Sequence, residues 1–380
     1  MYLKKQKSRF ALILVFSLFM SWTRSSNAQT SLKEIYKNDF KVGAALSARL
    51  LFGRTPGAAN LVKQQYNTIT AENVLKWEPF NPQPDSFRLE PADRYVAFGE
   101  ANGMFIVGHN LVWHQQVPDW LFKNEDGSTV DRETLIDRMR DHIFKEAGRY
   151  KEKIDGWDVV NEAVNSDGSL RESSWLKIIG KDYLRMAFQF AHQAAPDAEL
   201  YYNDYDLYKP AKREGVIRMV KNLQKQGVQI DGIGMQGHWG LNVPSLQQVQ
   251  ESIDAFSQLG VKVMITELDI TILPRTKDMN AANLSTGYSM KHGLNPYKNE
   301  LPDSMQTKLA NRYAAIFRLF HKNRDKIDRV TFWGVNDGGS WLNNWPARGR
   351  TDYPLLFDRN NQPKPAFYKV VNVMKKVDLN

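Results

Sequence analysis

Eight short runs rich in β-branched and apolar residues recur along this chain, with helix-like segments set between them. The runs are Lys41–Leu46, Thr68–Ala71, Met104–Val107, Gly156–Val160, Glu199–Tyr202, Gly232–Met235, Lys262–Thr266 and Val330–Gly334. Between them lie amphipathic stretches such as Asp131–Arg149, Tyr183–Ala195, Lys212–Gln226, Ser245–Gln258 and Met305–Lys322. In the third of these, Val216, Met219, Val220 and Leu223 share one helical face. Strands alternating with helices select an α/β architecture with a parallel sheet. Eight such units predict a closed (β/α)8 barrel, the TIM barrel, as a single domain. No Ser/Thr/Pro-rich linker, low-complexity stretch or change of composition divides the chain, so an appended binding module is not expected.

The first residues stand apart from this pattern. Lys4, Lys5, Lys7 and Arg9 precede an apolar run from Phe10 to Trp22, which is short for a membrane span, and Ser26-Asn27-Ala28 supplies small residues for cleavage. Residues 1–28 therefore read as a signal peptide and 29–380 as the barrel domain. The product is an exported protein, periplasmic or extracellular, with no membrane attachment once cleaved. With no Cys there are no disulfides and no thiolate metal sites, so stability must come from a large core. The net charge of +9 is weighted by the leader. Its five basic residues, removed from 51, leave 46 against 42 acids, or +4. That mild excess, without a basic cluster interleaved with aromatics, gives no case for nucleic acid. Ten Trp offer flat apolar faces of the kind on which sugar rings stack.

A barrel of this type carries its chemistry at the C-terminal ends of the strands. The chemically suggestive residues of this chain fall there: Glu72-Asn73, His109, Asn161-Glu162, Asn203-Asp204, Gln236 with His238, Glu267 and Trp333. Two of them, Glu162 and Glu267, end strand-like runs and would project into the barrel mouth. A pair of carboxylates facing a cleft is the minimum equipment for cleaving a glycosidic bond, one holding a proton and the other ionised. Gly232-Ile233-Gly234-Met235-Gln236-Gly237 matches a dinucleotide-binding pattern, but His238 to Pro244 does not begin a helix, so the match is read as chance. No metal site is expected, because His109 and His114 lack a third ligand and no His-Glu-x-x-His pattern occurs.

Taken together, Thr70-Ala71-Glu72-Asn73 with Lys76-Trp77, Gly108-His109 with Leu111-Val112-Trp113-His114, Trp157 to Ala163, Tyr202 to Tyr205, Gln236 with His238, Ile265 to Asp269, and Trp333-Gly334 with Trp341 resemble glycoside hydrolase family 10. The typical members are endo-β-1,4-xylanases. The resemblance runs from about Phe40 to Tyr368. Val74-Leu75 departs from the more usual Glu-Met, and Gln115 from a usual Ser, at positions not expected to touch the reacting sugar.

The resemblance implies a retaining hydrolase of internal β-1,4 bonds in xylan or xylo-oligosaccharides, acting without cofactor and as a monomer. Glu162 would be the acid/base, its pKa raised by the nearby charge of Glu267. Glu267 would be the nucleophile, oriented by His238 and Asp269. Asn161 would hold the sugar 2-hydroxyl. Glu72, Asn73, Lys76, His109 and Gln116 would bind sugar hydroxyls on the non-reducing side. Trp113 and Trp341 would wall the subsites, with Trp333 beneath. Gln236 would reach the sugar or the nucleophile, and Tyr205 the leaving-group side. Crowding by Trp341 and Gln116 would disfavour glucose, which carries a hydroxymethyl group that xylose lacks. Thr271 to Pro302, rich in Asn, Pro, Gly and Met, either overhangs the leaving-group side of the cleft or forms a surface excursion. Two rivals remain open: a sugar-binding protein on the same barrel, and a glycosidase for another β-linked glycan.

Overall fold

The β-branched runs form parallel strands that close on themselves. The computed structural model describes residues 30–274 and 293–375. Its strands are β1 (Lys41–Leu46), β2 (Thr68–Ala71), β3 (Phe105–Val112), β4 (Gly156–Asn161), β5 (Glu199–Asp204), β6 (Gly232–Met235), β7 (His238–Gly240), β8 (Lys262–Thr271) and β9 (Ile327–Phe332). Every pairing between them is parallel, and β1 to β6 follow one another around the sheet. β6 then pairs with β8, β8 with β9, and β9 with β1, closing an eight-stranded ring. The short β7 pairs only with the far end of β8, His238 opposite Asp269. Nearly every strand residue is buried, as strands covered by helices on one side and packed against barrel contents on the other must be.

The helices lie where the periodicity places them. Asp131 caps Arg132–Glu146, its carboxylate accepting from the Thr134 amide at 2.8 Å. Ser245 and Gln248 form a capping box at the start of Leu246–Ser257. Pro210 opens Pro210–Lys225, whose Val216, Met219, Val220 and Leu223 are all buried. Asp303–Lys322 turns Tyr313 and Phe317 onto Phe332 of β9.

β4 and β5 run on by one and two residues beyond expectation, and β3, β8 and β9 differ more. β3 runs on to Val112 and β8 to Thr271, through polar residues that end an apolar run in sequence but here line the barrel mouth. β9 starts three residues early, at Ile327, because Arg329 is buried at the barrel base with its guanidinium 5.2 Å from the Tyr201 ring. Gly232 to Gly237 spans β6 and the step into β7, with no helix following. The proposed leader and residues 275–292 of the long segment after β8 lie outside the described residues. No described helix is long and apolar enough to cross a membrane.

Candidate active site

The C-terminal ends of the strands open into a cleft of about 840 Å³, and Glu162 and Glu267 both line it. Glu267 is on β8 and is 5 % exposed. Successive strand residues alternate faces, so Glu267 and Asp269 point the same way and reach opposite nitrogens of one imidazole. His238 Nε2 lies 2.9 Å from Glu267 Oε2, and His238 Nδ1 lies 3.0 Å from Asp269 Oδ2. The Trp341 indole also donates to Asp269 Oδ2, at 2.7 Å. The Asn203 amide donates to Glu267 Oε1 at 2.7 Å. Burial pushes the His238 pKa down, but the charge and contact of Asp269, followed by those of Glu267, outweigh it and carry it up to about 10. An imidazolium therefore sits between two carboxylates. For Glu267 burial is again the largest single effect and raises the pKa. The bond and charge of His238, with the Asn203 bond, overcome it and leave Glu267 below the usual carboxylate range.

Glu162 immediately follows β4 and has a left-handed backbone, φ 58°. Its amide donates to the Asn203 carbonyl at 2.9 Å, and its carbonyl accepts from Arg171 Nε at 2.8 Å. Its Oε1 accepts from the Gln236 amide at 3.2 Å. The Glu162 pKa is raised, first by burial and next by the charge of Asp204; Glu267 contributes less, and a bond from the Trp113 indole opposes. This corrects the expectation that Glu267 supplies the shift. Asp204 is itself fully buried, accepting from Lys212 Nζ at 2.6 Å, from the Tyr205 amide at 2.9 Å and from the Tyr202 hydroxyl.

Around this pair lie the other residues singled out by sequence. With its nitrogen turned to the Asn203 carbonyl, the Asn161 amide donates there at 3.1 Å and accepts from Trp113 Nε1 at 3.2 Å. Lys76 Nζ donates to Asn73 Oδ1 at 2.9 Å and to Gln116 Oε1 at 2.8 Å, 4.9 Å from the Trp113 ring. Burial raises the Glu72 pKa against the pull of Lys76. His109 Nδ1 pairs with Asp158 Oδ2 at 2.8 Å and meets Trp333 edge-on. Trp341 stacks on Trp345 with ring centroids 4.9 Å apart. Tyr205 lines the cleft, but its hydroxyl accepts from Arg171 and Lys212 Nζ covers a ring face at 3.5 Å. Asp269 stands back from the cleft, behind His238, and Asn203 and Asp204 do not line it either. Trp77 is packed away against His142. Gln115, not expected to touch the reacting sugar, is among the residues lining the cleft.

Sequence reasoning assigned no role to Asn203, Asp204, Lys212 or Arg171. Lys212 did carry a signal: it lies on the same helical face as Val216 and Met219, and a Lys on an apolar stripe must find a buried partner. Arg171 lies on a loop and carried none. Among the described residues no three His, Asp or Glu side chains are grouped as a metal ion would require.

Gly234 has a further part in holding Glu267. A Cβ there would lie 2.3 Å from Asn203 Oδ1 and 2.7 Å from Thr266 Cγ2. Only a glycine leaves room for the Asn203 amide, which accepts from the Thr266 hydroxyl at 2.6 Å while donating to Glu267.

Known proteins resemble this chain along most of its length. A profile described as glycosyl hydrolase family 10 matches residues 31–373. An endo-1,4-beta-xylanase A of Xylanibacter ruminicola is 45% identical over 91% of this chain and 94% of its own length. An endo-1,4-beta-xylanase of Geobacillus stearothermophilus is 40% identical over 90% and 98%. Among solved structures, an endoxylanase retrieved from a sugarcane soil metagenome superposes with a TM-score of 0.86 at 46% identity, covering 91% of this chain and 100% of that one. A mutant solved in complex with xylotriose gives 0.79 at 35% identity, covering 90% and 99%.

Proposed function

The chain belongs to glycosyl hydrolase family 10, and from that premise we propose that it is an exported endo-1,4-β-xylanase in which Glu162 is the acid/base and Glu267 the nucleophile. The observation that carries the assignment of roles is the divergence of two buried carboxyl groups at one barrel mouth, Glu162 pushed up and Glu267 held down. The group whose proton is held more firmly is assigned the acid, and the one whose charge is favoured the nucleophile.

In the first step Glu267 attacks the anomeric carbon while Glu162 gives its proton to the departing glycosidic oxygen, leaving a glycosyl ester and a Glu162 carboxylate. His238, bonded to the other Glu267 oxygen, fixes the direction of attack and keeps the group ionised. In the second step Glu162 takes a proton from water, which attacks the same carbon from the side the leaving group vacated and breaks the ester bond, releasing Glu267 as a carboxylate, so configuration is retained. Esterification removes the Glu267 charge and with it one contribution to the raised pKa of Glu162. The larger Asp204 contribution stays, so the Glu162 pKa falls only part of the way.

Xylan is the substrate class supported by the names of the relatives and by the xylotriose complex. Asn161 is assigned the 2-hydroxyl, an interaction that strengthens as the ring becomes oxocarbenium-like. Lys76, Asn73, Gln116, Glu72 and His109 form the polar wall for sugar hydroxyls, and Trp113, Trp333 and Trp341 the aromatic one. A purely sugar-binding role is disfavoured, because a binding protein has no need of an imidazolium clamped onto a buried carboxylate. Reducing-end release from xylan and from carboxymethylcellulose, wild type beside Glu267→Ala, tests the reading. Wild-type cleavage of xylan alone, abolished in the variant, is expected. Xylan left intact by both proteins would refute it. Export is tested by the N-terminal sequence of the mature product, expected to begin after Ala28.

A further inference from the structure

Glu162 is held in a backbone conformation that a residue with a side chain adopts only under constraint, φ 58°. Its amide is tied to β5 through the Asn203 carbonyl. Its carbonyl is tied by a side chain: Arg171 Nε donates to it at 2.8 Å, from nine residues further along the chain. Between the two residues the backbone folds back on itself. Val164 bridges Leu170 in antiparallel fashion, the Asn165 amide donates to the Ser169 carbonyl at 2.8 Å, and the Arg171 amide donates to the Ala163 carbonyl at 2.8 Å. The guanidinium is anchored at its other edge, with Nη2 donating to the Tyr205 hydroxyl at 2.9 Å. One planar group thus spans the peptide after Glu162 and a side chain just beyond β5, with its donors in a fixed fork.

The geometry points to Arg171 as a positioning residue for the acid/base: with Tyr205 it fixes the plane of the Glu162 carbonyl and so the direction in which the Glu162 carboxyl presents its proton to the leaving oxygen. This rests on the reading of Glu162 as the acid/base. It makes Arg171 neither a proton donor nor a group that must touch sugar, although its side chain borders the cleft. Its value is specific to the step in which Glu162 gives up a proton. Loss of the clamp should therefore hurt bonds whose leaving oxygen needs that proton and spare those whose leaving group departs without it.

The test compares kcat/KM, which reports bond cleavage in the first step, on xylotetraose and on a dinitrophenyl xylobioside. The four proteins are wild type, R171M, E162Q and the double variant. General acid catalysis is worth on the order of 10²- to 10⁴-fold, and displacing the acid should forfeit part of it. R171M is expected to lose about 10- to 100-fold on xylotetraose and little on the dinitrophenyl substrate. E162Q should show the same split, larger. The double variant should match E162Q to within about 2-fold on both substrates, because no acid remains to be positioned. Equal losses on the two substrates for R171M, or an R171M loss as large in the E162Q background as in the wild type, overturn the proposal and leave Arg171 a sugar contact or a loop anchor. A missing split in E162Q instead overturns the acid/base reading, whatever R171M does. Should R171M fail to fold, R171K carries the test. It keeps the charge but loses the fork, and is expected to give an intermediate split; an R171K protein that loses equally on both substrates also refutes the clamp.

Discussion

Gly234→Ala adds one methyl group, and its expected effect is larger than its size suggests. The backbone at this position is not in the left-handed region, so alanine should be tolerated locally. By restricting the unfolded chain it would contribute about 0.4–1 kcal/mol in favour of folding. Against this, the new Cβ would lie 2.3 Å from Asn203 Oδ1, and the Asn203 side chain is not free to swing away. It is bonded to Thr266 and Glu267 in a fully buried position. Overpacking of this kind costs about 1–3 kcal/mol. Displacing a charge-assisted hydrogen bond costs about 1.5–3 kcal/mol more. The losses win, and a net destabilisation of roughly 2–5 kcal/mol is expected, several degrees of melting temperature in a chain of this size. Glu267 loses one of the bonds that hold its pKa down, so the acid limb of kcat/KM should move to higher pH. Thermal denaturation and a pH profile on an aryl xylobioside are the assays. A variant that melts as wild type does, with an unmoved acid limb, would show that Asn203 can relax at no cost and that Gly234 has no part in holding Glu267.

Three further outcomes follow from the same electrostatics. The His238 pKa is raised from 6.5 to about 10, so its pairing stabilises the fold fully below pH 6.5 and is lost as the pH climbs through 10. Denaturant titrations should show wild type losing stability relative to His238→Ala across that window; a constant difference between the two from about pH 6 to about pH 10 contradicts the imidazolium assignment. Asp204 is the largest charge raising the Glu162 pKa, so Asp204→Asn should shift the alkaline limb of kcat/KM to lower pH, and an upward or absent shift in a folded variant refutes that role. The same variant leaves Lys212 buried without its ion-pair partner, at a cost of about 3–5 kcal/mol.

The eightfold alternation and the placement of polar residues at strand ends were legible in the sequence because strand periodicity and burial act on neighbouring residues. Val263 to Ile265, with two β-branched residues in an apolar run, is a clear case. The boundaries were not legible where function intrudes. β3 continues through Gly108-His109-Asn110 and β8 through Glu267 to Thr271, although each breaks the apolar run, because the barrel mouth is built from strand and not from loop. Arg329 lay outside the run read as the last strand and proved to be a buried residue within it. In the site, Glu162, Glu267 and His238 stood out by residue type and place at strand ends, and Asp269 only through the family resemblance. Asp204 acts on Glu162 through space, and Arg171 through a turn whose closure depends on tertiary packing. Neither relation has a signature in local order along the chain. The origin of the Glu162 shift was misjudged for the same reason: burial, its first cause, belongs to the folded molecule.

Glu162 follows β4 and Glu267 belongs to β8, with β5 and β6 standing between them in the ring. The gap between the two carboxyl groups is accordingly a chord of the closed barrel, set by strand spacing and stagger that every hydrogen-bonded neighbour shares. Loops can lengthen, shorten or change their chemistry without altering that chord. What enters the cleft is thus free to diversify, while the stereochemical outcome, which depends on the chord, is inherited with the scaffold.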